Sequence, residues 1–194
     1  MFIDILGREP DGVIKWSKIK DYNIPNKKGV YIIALSEPLR SPIISDIAIR
    51  EWMSKADNML LDNKKPSKDD IKNRLEEFWY PDEKIIYIGK TSGNNQTLRK
   101  RLCQYYRHQL GKRSPHRGGH WIKALLDFDE LDVYWGIVED DDPYEIEQQM
   151  MDYFSQGVSE ESKQFLHDQD LLIPFANLEC WKRKKKHGFR NQTK

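Results

Sequence analysis

Cysteine is nearly missing from this chain of 194 residues. Cys103 and Cys180 are the only two and sit on unrelated segments, which argues against a disulfide framework. No apolar run approaches the length needed to cross a bilayer. The opening "MFIDILGREPDG" lacks the basic and apolar parts of a secretion signal, so a cytoplasmic protein with no membrane partner is expected. No internal repeat is found. Hydrophobic residues make up 38% and aromatics 11%, enough over this length for one domain with a real core. Acid is missing where base is plentiful. From Lys84 to Leu126 there are ten Lys/Arg and no Asp or Glu; from Asp127 to Asp170 there are fifteen Asp/Glu and one lysine, Lys163. From Lys182 to Lys194 there are seven Lys/Arg and again no acid. The net charge of +1 therefore hides a segregation. A basic stretch interleaved with Tyr105, Tyr106 and Trp121 has the footprint of a nucleic-acid surface, although pairing of basic with acidic segments explains the charge equally well.

"KKGVYIIAL" (27–35), "KIIYIG" (84–89) and "LDVYWGIV" (131–138) read as strands rich in β-branched and aromatic residues. Between the first two, apolar spacing predicts helices over 45–60 and 67–79, starting at Ser45 and Ser67. Further helices are predicted over 97–110 from Thr97, in "WIKALLDF", and over 143–154 behind Asp142-Pro143. These elements predict an α+β domain: a small antiparallel or mixed three-stranded sheet flanked by helices, with a helical insertion over about 37–83. The domain is expected over 1–178, with 179–194 as a basic C-terminal tail.

Two helices carry the chemistry. From Thr97, Arg101, Tyr105 and His108 fall within about 60° of one another beside the apolar stripe of Leu98 and Leu102. An arginine there can reach inward, where its planar fork suits a phosphate. Arg99, Lys100 and Arg107 point elsewhere, as backbone contacts or solubilising charge. In the helix after Pro143 the apolar face is Ile146, Met150, Tyr153 and Phe154, with Met151 at its margin. Glu147 is the one charge placed among them. A carboxylate there needs a cation, either a metal or a structural salt-bridge partner.

In this order the pieces resemble the GIY-YIG nuclease family. Gly29-Val30-Tyr31 stands for the first signature and Tyr87-Ile88-Gly89, followed by Lys90, for the second. "LRKRLCQYYR" is similar to the following helix in the incision domain of the repair excinuclease, with Arg101 and Tyr105 at its arginine and tyrosine. His108 sits where some restriction members have a histidine. "EIEQQMMDYF" resembles the helix bearing the metal-binding glutamate, at Glu147, and "PFAN" the closing Pro-x-x-Asn, at Pro174 and Asn177. The chain departs from the pattern in the insertion between the signatures and in longer loops after Lys90 and before Pro174.

The resemblance implies a Mg²⁺- or Mn²⁺-dependent endonuclease acting on DNA. Glu147 would hold the metal, Arg101 would stabilise the transition state, and Tyr31 or Tyr87 would accept the proton of the attacking water beside Lys90. Tyr105 and His108 would orient phosphate or help the leaving group, and Asn177 would fix the tyrosine network. Arg99, Lys100, Arg107, Lys112, Arg113 and Arg117 are the expected backbone contacts. Two rivals remain: a non-catalytic nucleic-acid-binding module of the same fold, and a zinc site built from His116 and His120 with a cysteine. The insertion is expected to serve substrate choice, or else to cover the sheet or make a dimer contact.

Overall fold

Strand β2 (Gly29–Ala34) is buried along its whole length, which explains why it reads as an unbroken apolar run. In the computed structural model, which describes residues 7–93, 95–113 and 118–193, it pairs antiparallel with β4 (Ile85–Lys90) on one side and β5 (Asp132–Ile137) on the other. A fourth strand, β1 (Gly12–Lys15), adds to the outer edge of β5, so the order is β1-β5-β2-β4. The sheet thus has four strands, all antiparallel, rather than the three expected. β1 escapes sequence reading because only Ile14 of its four residues is buried, too few to show a period of two.

Helices cover both faces, giving an α+β fold. On one face lie α1 (Asp46–Lys55), α2 (Lys68–Glu76), α3 (Leu98–Arg107) and α4 (Gly118–Ala124). Each of the first three starts where a hydroxyl caps an orphan N–H: Ser45 accepts from Ala48, Ser67 from Asp70 and Thr97 from Lys100. The other face is covered by α5 (Pro143–Gly157), whose Met150, Met151 and Phe154 join a core with Val30, Ile32 and Ile88, and α6 (Glu160–Phe165) follows it.

The insertion is part of the core. Ile49, Trp52, Ile71, Leu75, Phe78 and Trp79 belong to the same cluster as Tyr31, Tyr105 and Trp121. Ring packing ties them together, with Trp52 on His120 at 5.0 Å, Phe78 on Trp121 at 5.5 Å and Trp79 on Phe175 at 5.0 Å. These contacts join the insertion to α4 and to Phe175 on this face of the domain.

The basic segment from 179 also packs onto the domain instead of trailing from it. β6 (Glu179–Cys180) and β7 (Arg183–Lys184) form a hairpin, and β8 (Phe189–Arg190) pairs with β3 (Leu60–Leu61) inside the insertion. Lys185 is 4% exposed and donates to the carbonyls of Pro174 at 3.0 Å and Phe175 at 2.9 Å. Burial pushes its ammonium down to about 7. Phe189 is buried in the main cluster, so Phe189→Ala should lower unfolding free energy by about 3 kcal/mol, the usual scale for emptying such a site. Urea denaturation measures it, and a change within error would mean that the segment is merely laid on the surface.

Candidate active site

Antiparallel register sets Tyr31 of β2 directly opposite Gly89 of β4, two positions after Tyr87. A side chain at 89 has no room: a Cβ there would lie 2.6 Å from the Tyr31 hydroxyl and 2.6 Å from the Tyr87 ring. Glycine therefore lets the two phenols close over the strand, with ring centroids 5.9 Å apart. Tyr105 of α3 completes the group, at 5.0 Å from Tyr87 and 6.3 Å from Tyr31. Arg101, one helical turn before Tyr105, faces all three. Burial opposes its charge, but the hydroxyls of Tyr31, Tyr87 and Tyr105 raise its already high pKa further.

Glu147 reaches the same place from the opposite side of β4. Its neighbours at +3, +4 and +7 along α5, Met150, Met151 and Phe154, are all buried, so helical phase forces the carboxylate toward the sheet. The face is turned slightly from the sequence reading: Met151 is core, and Tyr153 is exposed. Lys90, at the end of β4, forms an ion pair with Glu147 and lies 4.7 Å from the centre of the Tyr144 ring. Burial raises the Glu147 pKa, and the charges of Lys90 and Arg101 offset this only in part.

These groups line one cleft of about 680 Å³, with Tyr87, Lys90, Arg101, Tyr105 and Glu147 on its inner wall. Tyr31 lies behind that wall, fully buried, and burial holds its hydroxyl well above the usual range. The same holds for Tyr105, which also lines the cleft. Asn177 is in the wall but holds a strand rather than a tyrosine. Its Oδ1 accepts from the Ile88 N–H at 2.9 Å and its Nδ2 donates to the Ile88 carbonyl at 2.8 Å. This clamp covers the open edge of β4 between Tyr87 and Gly89.

His108 does not join them. The helix ends at Arg107, and His108 adopts ψ 137°, so helical phase no longer predicts its direction. It is buried against His120, with 3.0 Å between Nε2 and the His120 Nδ1. Arg99, Lys100, Arg107, Lys112 and Arg113 are exposed and line no part of this cleft; Arg117 and His116 lie outside the described residues. Of the zinc arrangement only His120 and the cysteines can be placed: His120 faces His108, Cys180 lies against Gln148, and no three His, Cys, Asp or Glu side chains meet among the described residues.

The outer wall consists of residues that sequence reading passed over: Trp181, Lys182, Lys184 and His187, with Tyr144 and Gln148 from α5. The signal for them was the acid-free run after Lys182, set aside as a tail. A divalent cation that keeps most of its water needs one or two carboxylates and room for its shell. Glu147 in an open cleft fits that donor set once Lys90 swings away. Compared with protein-family models, curated proteins and solved structures, the chain matches none.

The histidine pair gives a pH test. Burial, with Lys123 nearby, pushes His108 down to about 4, and burial beside His108 pushes His120 down to about 3, from an ordinary 6.5. The unfolded chain takes up these protons first, so stability falls as pH drops from about 6.5 toward 4. For His108 the loss is about 3 kcal/mol, at 1.36 kcal/mol per unit. Thermal melts between pH 7 and 4 should show it, and His120→Gln, which keeps an acceptor for the Gly111 N–H, should flatten the curve. An equally steep acid limb in the variant would show that other groups cause it.

Proposed function

We propose that the chain is a divalent-metal-dependent endonuclease of the GIY-YIG type that hydrolyses phosphodiester bonds in DNA. The observation that carries this is the convergence of Tyr87, Lys90, Arg101 and Glu147, from three separate elements, on one cleft. The arrangement of strands supports it as well. β4, β2 and β5, with the arginine helix on one face and the glutamate helix on the other, are the parts that the GIY-YIG resemblance requires; β1 and the insertion are additions.

Arg101 donates to the scissile phosphate and stabilises the charge that builds on its oxygens. Tyr87 is the better of the two candidate bases, because it opens on the cleft while Tyr31 is sealed behind it. Water attacks phosphorus as its proton passes to the Tyr87 oxygen; the bond to the leaving oxygen breaks, and that oxygen takes a proton from solvent. Tyr87 enters this step as its phenolate, with the Arg101 guanidinium beside it. Tyr31 and Tyr105 stay protonated and hold the arginine in place. Glu147 would hold Mg²⁺ or Mn²⁺, which when bound supplies positive charge at a phosphate oxygen. Lys90, which lines the same cleft, would add its charge beside the phosphate.

A second reading has one observation in its favour. The Lys90–Glu147 ion pair is also what a binding module without a metal would keep. Substitutions separate the two. Arg101→Ala should lower plasmid nicking by about 10²–10³, the scale for losing a transition-state donor, while DNA binding stays near wild type. Arg99→Ala, outside the cleft, should change only binding and its salt dependence, and those modestly. Glu147→Gln should abolish nicking at a cost of about 2 kcal/mol, between an exposed and a fully buried pair, because Lys90 retains water and the Tyr144 ring. Wild-type nicking by either cleft variant would remove that residue from the chemistry, and an absence of nicking in wild type beside intact binding favours the module.

A further inference from the structure

Five of the six tryptophans are buried and packed on another ring: Trp16 on Tyr105, Trp52 on His120, Trp79 on Phe175, Trp121 on Phe78 and Trp135 on Tyr22. Trp181 differs from all of them. It is half-buried, packed in part against the cluster that holds Val30, Ile32 and Met150, and it lines the cleft that holds Glu147 and Arg101 with no ring contact among the described residues.

Its backbone is unusual too. Trp181 and Lys182 are the two turn residues of the β6–β7 hairpin, and both are left-handed, with φ 49° and 62°. Turns of this hand favour Asn-Gly, since a side chain in the left-handed region costs about 1–2 kcal/mol per residue. The turn alone does not call for a tryptophan and a lysine.

The hairpin is fixed from behind. The Cys180 thiol meets the Gln148 side chain at 3.6 Å, one residue from Glu147. Arg183 donates to the Asp170 carbonyl at 2.6 Å, and Lys185 is locked on Pro174 and Phe175. Arg183 and Lys185 are thus turned to the domain, while Lys182 and Lys184 line the cleft with no acidic side chain in ion-pair contact among the described residues. The one acid in this wall, Glu179, stands opposite Lys184 in register and leaves the cations in excess.

A flat apolar face flanked by ammonium groups, beside an arginine and a lysine, suits a ligand that carries an aromatic ring and a phosphate in each repeat. We propose that the Trp181–Lys182 hairpin is a stacking wall for one unpaired base next to the phosphate at Arg101. This makes a single-stranded or locally unpaired segment of DNA the preferred substrate, an inference that rests on the nuclease reading of the cleft. The base lies on the indole, and Lys182 and Lys184 take the adjoining phosphates. A duplex, whose bases are already stacked, offers the wall only its backbone.

The test uses the full chain in EDTA, so that binding is read apart from cleavage. The probe is an oligonucleotide with one aminopurine, whose fluorescence is quenched by stacking, offered single-stranded and as a duplex. Wild type should bind the single strand more tightly and quench it. Trp181→Ala should weaken that binding by about tenfold and restore the fluorescence, while Trp181→Phe keeps most of both. Lys182→Gly, suited to the left-handed turn, should hold or raise the melting temperature while reducing the salt slope of binding by about 0.7. Unchanged single-strand affinity in Trp181→Ala, or a wild-type preference for duplex, would overturn the stacking wall. If quenching is lost in Trp181→Ala but wild type nicks nothing with Mg²⁺, the wall stands and the cleavage reading fails. If wild type nicks and Trp181→Ala nicks single strands equally fast, the wall fails and the nuclease stands.

Discussion

A carboxylate on an apolar helix face is the constraint on which the cleft depends. Glu147 cannot turn away, because Met150, Met151 and Phe154 fix the phase of α5 against the sheet. Leaving it charged and unpaired would be expensive, so cations must meet it. Lys90 does so from the end of β4, and Arg101 adds its field from across the strand. The result is a group of opposite charges, partly shielded from water, in which each charge depends on the others.

The tyrosines follow from the same logic. A guanidinium sunk toward a core needs polar groups around it, and three phenols stand beside it without adding negative charge. Their own burial opposes ionisation of Tyr31 and Tyr105, so these two remain donors and supports. Tyr87, half-buried, opens to the cleft. One strand edge thus places a phenol and an ammonium three residues apart, and Asn177 keeps that edge straight by closing on Ile88.

Much of this was legible in the sequence, because it rests on local periodicity. The apolar runs gave β2, β4 and β5. Cap residues gave the helix starts at Ser45, Ser67 and Thr97, and helical phase singled out Glu147 and Arg101. What failed was whatever depends on long-range packing. β1 is too short to show alternation. His108 was placed by a phase that its own backbone breaks at the end of α3. The insertion and the last fifteen or so residues looked peripheral because their partners lie far off in sequence, Trp52 with His120 and Phe189 with Leu61. The basic run after Lys182 was read as a charged tail, although Lys185 within it is buried and its neighbours form the outer wall of the cleft.

The central claim is that this cluster of paired charges opens to a divalent ion and a phosphodiester. The most direct measurement incubates the purified wild-type chain with supercoiled plasmid, with branched and single-stranded DNA, and with RNA, each with Mg²⁺ and again with EDTA. The account predicts cleavage of DNA with Mg²⁺ and none with EDTA. Cleavage that survives EDTA, or a folded chain that binds these DNAs and cuts none of them with Mg²⁺ or Mn²⁺, would contradict it.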